Sequence, residues 1–134
     1  MVYPAAYTAW LSGAVVLARH AARGHDLIPG PCLMHVEAIY QRPRNRPESV
    51  LLIDWQAGQR IRRPSVPDLD NVRKAAQDLL NSIVYHDDAQ VCSQSGAAWY
   101  GAPGEPPRTV IVVVPVHPVT PITLTLPGVG LLEL

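Results

Sequence analysis

The sequence predicts an α+β fold, with a small mixed β-sheet and two main helices in a single domain over residues 1–134. Three observations support this prediction. Apolar residues recur at helical spacing in two segments, and residues 32–40 alternate between two faces as a strand does. A β-branched run at residues 109–116 is typical of a buried strand. A length of 134 residues suits one hydrophobic core.

The first helix is predicted over residues 5–22. Pro4 suits its first turn and Gly24 suits its end. The apolar positions between them form one stripe: Tyr7, Trp10, Leu11, Ala14, Leu17, Ala18 and Ala21. Residues 32–40 then predict a strand with one face more buried than the other. One of its two faces carries Cys32, Met34, Val36, Ala38 and Tyr40.

The middle of the chain combines irregular segments with a second helix. Residues 41–47 are rich in Arg and Pro, which excludes a central strand or a stable helix. Residues 50–55 are predicted as a short strand and residues 56–67 as a polar, basic loop. The second helix, over residues 71–83, has one apolar and one polar side. The apolar side carries Val72, Ala75, Ala76, Leu79, Leu80 and Ile83, and the polar side carries Asp70, Arg73, Lys74, Gln77, Asp78 and Asn81.

The rest of the chain predicts strands. Residues 89–100 are strand-like but interrupted near Gly96, and residues 101–107 form a Gly/Pro loop. The β-branched run at 109–116 follows. Residues 122–126, in which apolar residues alternate with threonine, predict a final strand.

Composition excludes several classes of protein. The chain is 48% hydrophobic and 16% charged, which argues against intrinsic disorder. No apolar run is long enough to span a membrane, and the N-terminus lacks the features of a signal peptide. Two distant cysteines, Cys32 and Cys92, form neither a disulfide framework nor a metal clip, so a cytoplasmic location is expected.

The formal net charge is zero, but the charges are unevenly distributed. Residues 42–63 have a balance of +4, because six arginines outnumber Glu48 and Asp54. These arginines are Arg42, Arg44, Arg46, Arg60, Arg62 and Arg63. Residues 64–134 have a balance of −4, so a basic stretch leads into an acidic one. Such a stretch is typical of contacts with nucleic-acid phosphates. A solvated loop is the alternative interpretation.

Acidic residues flank the second helix, with Asp68 and Asp70 at its start and Asp87 and Asp88 after its end. Converging carboxylates raise one another's pKa unless a cation joins them, and a hard ion such as Mg²⁺ takes oxygen ligands. Such an ion supports phosphodiester cleavage. Lys74, one turn after Asp70, could pair with a carboxylate or neutralise charge on a phosphate. A structural interpretation is also open, in which these residues cap the helix and form an ordinary surface pair.

Two segments, PDLDNVRKAAQDLL at residues 67–80 and VYHDDAQV at residues 84–91, resemble the RusA family of Holliday-junction resolvases. The family's pattern has a D-[LI]-D-N opening, a Lys four residues after the second Asp, a D-x-L helix and a closing D-D-x-Q-[VI]. The sequence supplies every element in this order. The resemblance is specific over these two segments and looser elsewhere.

The resemblance implies a homodimeric, Mg²⁺-dependent endonuclease that nicks four-way DNA junctions, with Mn²⁺ as an alternative ion and without a nucleotide cofactor. It assigns metal-binding, catalytic carboxylates to Asp68, Asp70 and Asp88, and a supporting cation to Lys74. Asp87 matches the neighbouring acidic position of the metal site.

DNA contacts are expected from the arginines of the basic stretch and of the second helix. They are Arg60, Arg62 and Arg63, with Arg42, Arg44, Arg46 and Arg73. Trp99 and Tyr100 are interpreted as packing residues, with stacking on opened bases as the alternative.

Helix length raises a question about the carboxylates. A helix over residues 71–83 is about 20 Å long at about 1.5 Å per residue. Residues 84–88 reach at most about 17 Å when extended. Asp88 therefore joins Asp70 of its own chain only if the chain doubles straight back. Otherwise Asp88 completes the site of a partner across a two-fold dimer.

The sequence departs from the family at its start, where the family's opening strand is missing. Residues 122–128 resemble such a strand, placed near the C-terminus. A misassigned start, a permuted sheet and a strand donated to a partner are all open; we expect residues 120–134 to fill the position. A non-catalytic junction-binding homologue is the alternative function, and a small structural domain is a third interpretation.

Overall fold

The computed structural model describes residues 5–63, 69–117 and 121–127, which form an α+β architecture as predicted. The helices are α1 (Ala5–Ala22), α2 (Leu52–Gln56) and α3 (Leu69–Leu79), with one 3₁₀ turn (Asp88–Gln90). The strands are β1 (Cys32–Tyr40), β2 (Ile61–Arg62), β3 (Val91–Tyr100), β4 (Arg108–Pro115) and β5 (Ile122–Pro127). No helix within the described ranges is long and apolar enough to span a membrane.

The five strands form one mixed sheet in the order β2-β3-β1-β4-β5. The two central strands, β1 and β3, run parallel, and every other pair is antiparallel. Parallel neighbours need a long crossover, and here the connection contains α2, β2 and α3. This connection also contains most of the predicted functional residues.

The core lies between one face of the sheet and the helices α1 and α3. One face of β1 is buried, as the alternation predicts for one of the two faces, and it carries Cys32, Met34, Val36, Ala38 and Tyr40. The predicted apolar side of α3 is buried as well: Val72, Ala75, Ala76, Leu79, Leu80 and Ile83. From α1 only alanines are fully buried among the described side chains, namely Ala14, Ala18 and Ala22. Their small size lets this helix approach the sheet closely.

Helix α1 has the predicted bounds, but one residue of its stripe is misassigned. Leu17 is 43% exposed, because the buried face is centred on alanines four residues apart. The side chains of Tyr7 and Trp10 lie outside the described part of the chain. Helix α3 ends at Leu79, earlier than predicted, and Ser82 adopts a left-handed φ of 62° in the turn that follows.

Two predictions for the middle of the chain are wrong. The segment predicted as a strand at residues 50–55 contains helix α2, and the predicted loop contains strand β2, which pairs with β3. Arg42 holds α2 through a hydrogen bond to the carbonyl oxygen of Trp55, and β2 forms because it pairs with β3. Both contacts join distant parts of the chain, and a local sequence pattern does not reveal them.

Strand β3 is continuous, whereas an interruption near Gly96 was predicted. Gly96 pairs with Val36 inside the parallel ladder with β1, and pairing at the centre of the sheet outweighs the weak strand propensity of glycine. The last strand, β5, lies at the sheet edge beside β4. That it replaces the family's opening strand remains a prediction, and residues 128–134 lie outside the described part.

Candidate active site and nucleic-acid interface

The polar side of α3 carries the first predicted functional residues. Asp70 lies exposed in the first turn of the helix, where a negative charge interacts favourably with the helix dipole. Its carboxylate forms an ion pair with Arg73, three residues later. Asp68, its predicted partner in the metal site, lies outside the described residues. The structure therefore describes one member of this pair.

Lys74 lies one helical turn after Asp70 on the same side of α3 and is exposed. Within the described part of the chain its ammonium group forms no hydrogen bond or ion pair. The neighbouring cation, Arg73, is instead bound to Asp70. A phosphate that approaches this side of the helix would therefore meet the Lys74 ammonium.

Asp88 lies near the opposite end of α3. Its carbonyl oxygen accepts a hydrogen bond of 3.0 Å from the side-chain amide of Gln77. Its carboxylate accepts a longer one, 3.4 Å, from the amide of Asn81. At about 1.5 Å per residue, Gln77 lies about 10 Å from Asp70 along α3. Asp88 therefore lies beside the C-terminal half of α3, whereas Asp70 lies in its first turn.

Asp87 caps the 3₁₀ turn next to Asp88. Its carboxylate accepts a hydrogen bond of 3.0 Å from the backbone N–H of Ala89. This bond is the main cause that lowers the pKa of Asp87. A low pKa keeps this carboxyl group ionised at neutral pH. The two adjacent aspartates thus form an acidic pair at the C-terminal end of α3.

Gln90 fixes the turn that carries this acidic pair. Its side-chain oxygen accepts hydrogen bonds from the backbone N–H groups of His86 and Asp87, at 2.8 and 2.9 Å. Its amide nitrogen donates to the carbonyl oxygens of Ile28 and Gly30, at 2.6 and 2.9 Å. One side chain thus ties the acidic turn to the loop before β1.

Gln77 fixes the acidic turn from the side of the helix. Its amide group donates to Asp88, while its oxygen accepts a hydrogen bond of 2.6 Å from Gln94 on β3. The backbone carbonyl of Gln77 also accepts a bond from the buried hydroxyl of Tyr85, and burial raises the pKa of that tyrosine. Sequence reasoning gave no role to Gln77 or Gln90. The glutamine of the D-D-x-Q motif was the one signal that pointed to Gln90.

The described residues of one chain do not fit a complete Mg²⁺ site. No three His, Cys, Asp or Glu side chains within the described ranges lie close enough to hold an ion. Mg²⁺ requires oxygen ligands at about 2.0–2.1 Å, and Asp70 and Asp88 lie towards different ends of α3. Each end of this helix offers part of a carboxylate set.

Two of the predicted DNA-binding arginines hold the backbone around α2. Arg42 donates to the carbonyl oxygens of Trp55 (2.7 Å), Gln59 (3.2 Å) and Gly101 (3.2 Å). Arg46 donates to the carbonyl oxygen of Val50 at 2.7 Å. These bonds occupy N–H groups that a phosphate would otherwise use.

Arg60 forms a bidentate ion pair with Glu105 in the loop between β3 and β4. Its Nε lies 2.9 Å from both carboxylate oxygens, and Arg108 binds the same carboxylate at 3.0 Å. The hydrogen bond from Arg60 is the main cause that lowers the pKa of Glu105 to about 2. Arg60 therefore joins β2 to this loop.

Arg62 and Arg63 differ in their surroundings. The exposed guanidinium of Arg62 lies 5.2 Å from the centre of the Trp99 ring, and these two residues pair across β2 and β3. The guanidinium of Arg63 lies 3.7 Å from the Tyr40 ring, and its buried Nη1 has no hydrogen-bond partner among the described residues. Arg62, with the exposed Arg44, is thus the more accessible to DNA.

Comparison with known proteins gives a consistent match. Residues 1–114 match the protein family described as endodeoxyribonuclease RusA. An uncharacterized protein of Bacillus subtilis, YqaN, is 29% identical over 100 residues, which cover 75% of this chain and 67% of that protein. No solved structure matches the chain.

Proposed function

Because the chain belongs to the RusA family of endodeoxyribonucleases, we propose that it resolves four-way DNA junctions by paired nicks and depends on a divalent cation such as Mg²⁺. The observation that supports this proposal most is the arrangement along α3. Asp70 and Lys74 lie on its polar side, and Asp88 is bonded to the same side through Gln77 and Asn81. Three residues of the family pattern thus line one surface.

The residues of this surface have distinct proposed roles. Lys74 neutralises charge that develops on the cleaved phosphate, because a fixed cation stabilises a transition state more than a mobile one does. Asp68, Asp70 and Asp88 supply oxygen ligands for the ion, with Asp87 beside them. Arg62 and Arg44 contact phosphates that lead towards this surface.

We also propose that the cation site is shared between two chains. Asp70 lies in the first turn of α3 and Asp88 lies beside its C-terminal half, which favours a two-fold partner as the source of the second carboxylate. A symmetric junction with paired nicks suits a two-fold dimer, because the dimer presents two equivalent sites.

A synthetic four-way junction, incubated with the protein and either Mg²⁺ or EDTA, tests this function. We expect symmetric nicks that require Mg²⁺ and are lost in Asp70→Asn and in Lys74→Ala. Asp26→Asn, which changes an exposed aspartate in the loop before β1, serves as the control and should nick normally. Absence of nicks from the unmodified protein in Mg²⁺ and in Mn²⁺ would contradict the proposal.

Mixed dimers test the shared site separately. Asp70→Asn and Asp88→Asn chains, each inactive alone, should regain nicking when they are mixed, since half of the heterodimer's sites then carry both carboxylates. The expected recovery is one working site per heterodimer, seen as single nicks. No recovery, with heterodimers present by mass spectrometry, would exclude the shared site while leaving the activity itself intact.

A non-catalytic junction-binding protein is the second candidate function. It is favoured by one observation, that the described carboxylates of a single chain do not converge. In that case the junction assay would give a shifted complex in a native gel and no nicks in either metal.

A further inference from the structure

Helix α2 has an unusual composition for its position. It contains five residues, and none of them is buried. Leu51, Leu52 and Ile53, here called the apolar ridge, are 67%, 53% and 75% exposed. Isolated helices of this length are unstable in water, and burial of apolar side chains usually stabilises them. Since burial does not stabilise α2, other contacts must do so.

Arginine side chains hold α2 in place. Arg42 binds the carbonyl oxygen of Trp55 at 2.7 Å and lies 4.0 Å from the centre of the Trp55 ring. Arg46 binds the carbonyl oxygen of Val50 at 2.7 Å, just before the ridge. Together the two arginines fix the backbone on both sides of three exposed apolar residues. Such a preorganised apolar surface is typical of a binding site, because little ordering entropy remains to be lost on binding.

A cavity of about 450 Å³ adjoins the ridge. Leu51 and Val50 contribute to its apolar lining, and Trp99 adds an aromatic ring. Asp54, Arg60 and Arg62 also line it, and the guanidinium group of Arg60 is bound to Glu105. The site therefore combines apolar and aromatic surface with a carboxylate acceptor and the exposed guanidinium group of Arg62.

We propose that the ridge and this cavity bind unstacked bases of branched DNA, an inference that rests on the proposed function. A base has a flat apolar face, which stacks on aromatic and aliphatic side chains. It also has an edge whose N–H groups can donate hydrogen bonds to a carboxylate such as that of Asp54. Apolar side chains of this kind act as wedges between base steps.

Charge selects DNA over a protein partner as the occupant. The exposed Arg62 lies at the cavity, and the exposed Arg44 precedes the ridge in the chain. Phosphates flank every base of a DNA strand, so bases held at the ridge would bring negative charge to these arginines. Bases at a branch point also cost less to unstack than bases within a duplex, because part of their stacking is already lost.

The double variant Leu52→Gln, Ile53→Gln tests the proposal. Both side chains are largely exposed, so the variant should fold with an unchanged melting temperature. Val16→Gln, at a residue that is 66% exposed on α1, is the matched control. The probes are a four-way junction with 2-aminopurine beside the branch point and a linear duplex of the same sequence. Both are measured in EDTA, so that no nicking occurs.

We expect the double variant to bind the junction about tenfold more weakly, the size expected when one or two base contacts are lost. Its affinity for the linear duplex should change less than about twofold, because phosphate contacts dominate there. The change in 2-aminopurine fluorescence that the unmodified protein causes should disappear. The control variant should match the unmodified protein in all three measurements.

Other outcomes separate this inference from the proposed function. Unchanged junction affinity and fluorescence in the double variant would overturn the inference, whether or not the protein nicks DNA. A shift from dimer to monomer in sedimentation without DNA would also overturn it, because the ridge would then be an interface between chains. Junction binding that depends on the ridge, in a protein that does not nick in Mg²⁺, would support the inference and contradict only the catalytic proposal.

Discussion

Replacing Gln90 by glutamate should destabilise the acidic turn in a way that depends on pH. The substitution keeps the side-chain oxygen that accepts from His86 and Asp87, but it removes the amide that donates to Ile28 and Gly30. An ionised carboxylate would then face two carbonyl oxygens. A protonated carboxyl group could donate to one of them, so the folded state favours protonation and raises the pKa of the introduced group.

The magnitude follows from these contacts. The two lost hydrogen bonds contribute about 1 kcal/mol each, and the repulsion between the carboxylate and the carbonyls adds up to about 1 kcal/mol. The free energy of unfolding at pH 7 should therefore fall by about 2–3 kcal/mol, which corresponds to about 10 °C in melting temperature for a chain of this size. Because the pKa of the introduced glutamate is higher in the folded state, the folded state binds more protons than the unfolded state. The free energy of unfolding therefore decreases as the pH rises through the pKa that this glutamate has in the folded state.

Urea denaturation followed by circular dichroism at pH 5 and pH 7 is the appropriate assay. The matched control is Gln41→Glu, at an exposed position just after β1. We expect a smaller destabilisation at pH 5 than at pH 7 for Gln90→Glu, and almost none at either pH for the control. A loss of stability that is the same at both pH values, or no loss at all, would refute the role given to the Gln90 amide.

Three further predictions concern other parts of the structure. The pKa of Glu105 is lowered from 4.5 to about 2, so its ion pairs stabilise the fold above pH 4.5 and this contribution is lost as pH falls towards 2. Glu105→Gln should therefore lower the free energy of unfolding by about 1–2 kcal/mol at pH 6, allowing for solvent screening. The variant should also show a flatter pH dependence of unfolding between pH 5 and 2. Arg62→Ala should weaken junction binding and reduce the slope of log affinity against log salt by about one, and an unchanged slope would count against a phosphate contact. Leu124→Ala in β5 should lower the free energy of unfolding by about 3 kcal/mol, because this side chain is fully buried. The control Thr123→Ala, on the exposed face of the same strand, should lower it by less than about 1 kcal/mol. Equal losses for the two variants in urea titrations would show that β5 does not pack as described.

The elements that sequence predicted well are those whose pattern is local. The apolar side of α3, from Val72 to Leu80, follows helical periodicity and is buried as expected. Helix α2 was mispredicted, because a bond from Arg42 to Trp55 stabilises it and no periodicity records such a bond. The family pattern identified Asp70 and Lys74 as candidates, and their assigned roles remain predictions.

Some of the hydrogen bonds that position the candidate site join residues that are far apart in the chain. Gln90 reaches the carbonyl of Ile28, 62 residues away, and sequence spacing does not reveal this contact. Helix length alone leaves two outcomes open: either Asp88 returns to Asp70 of its own chain, or it completes the site of a partner. The turn after Leu79 places Asp88 beside Gln77 and Asn81, and the site shared between two chains remains a prediction.

The parallel pairing of β1 with β3 has a consequence for how the chain folds. Cys32 pairs with Val91 and Tyr40 pairs with Tyr100, so the central strand has no parallel neighbour until a long intervening segment exists. Its other neighbour, β4, begins later still, at Arg108. Contacts of such high sequence separation slow folding, because loop-closure entropy is lost before the contacts form. During synthesis at about 5–20 residues per second, β1 therefore stays unpaired for several seconds, and a chaperone would have that time to bind its apolar face.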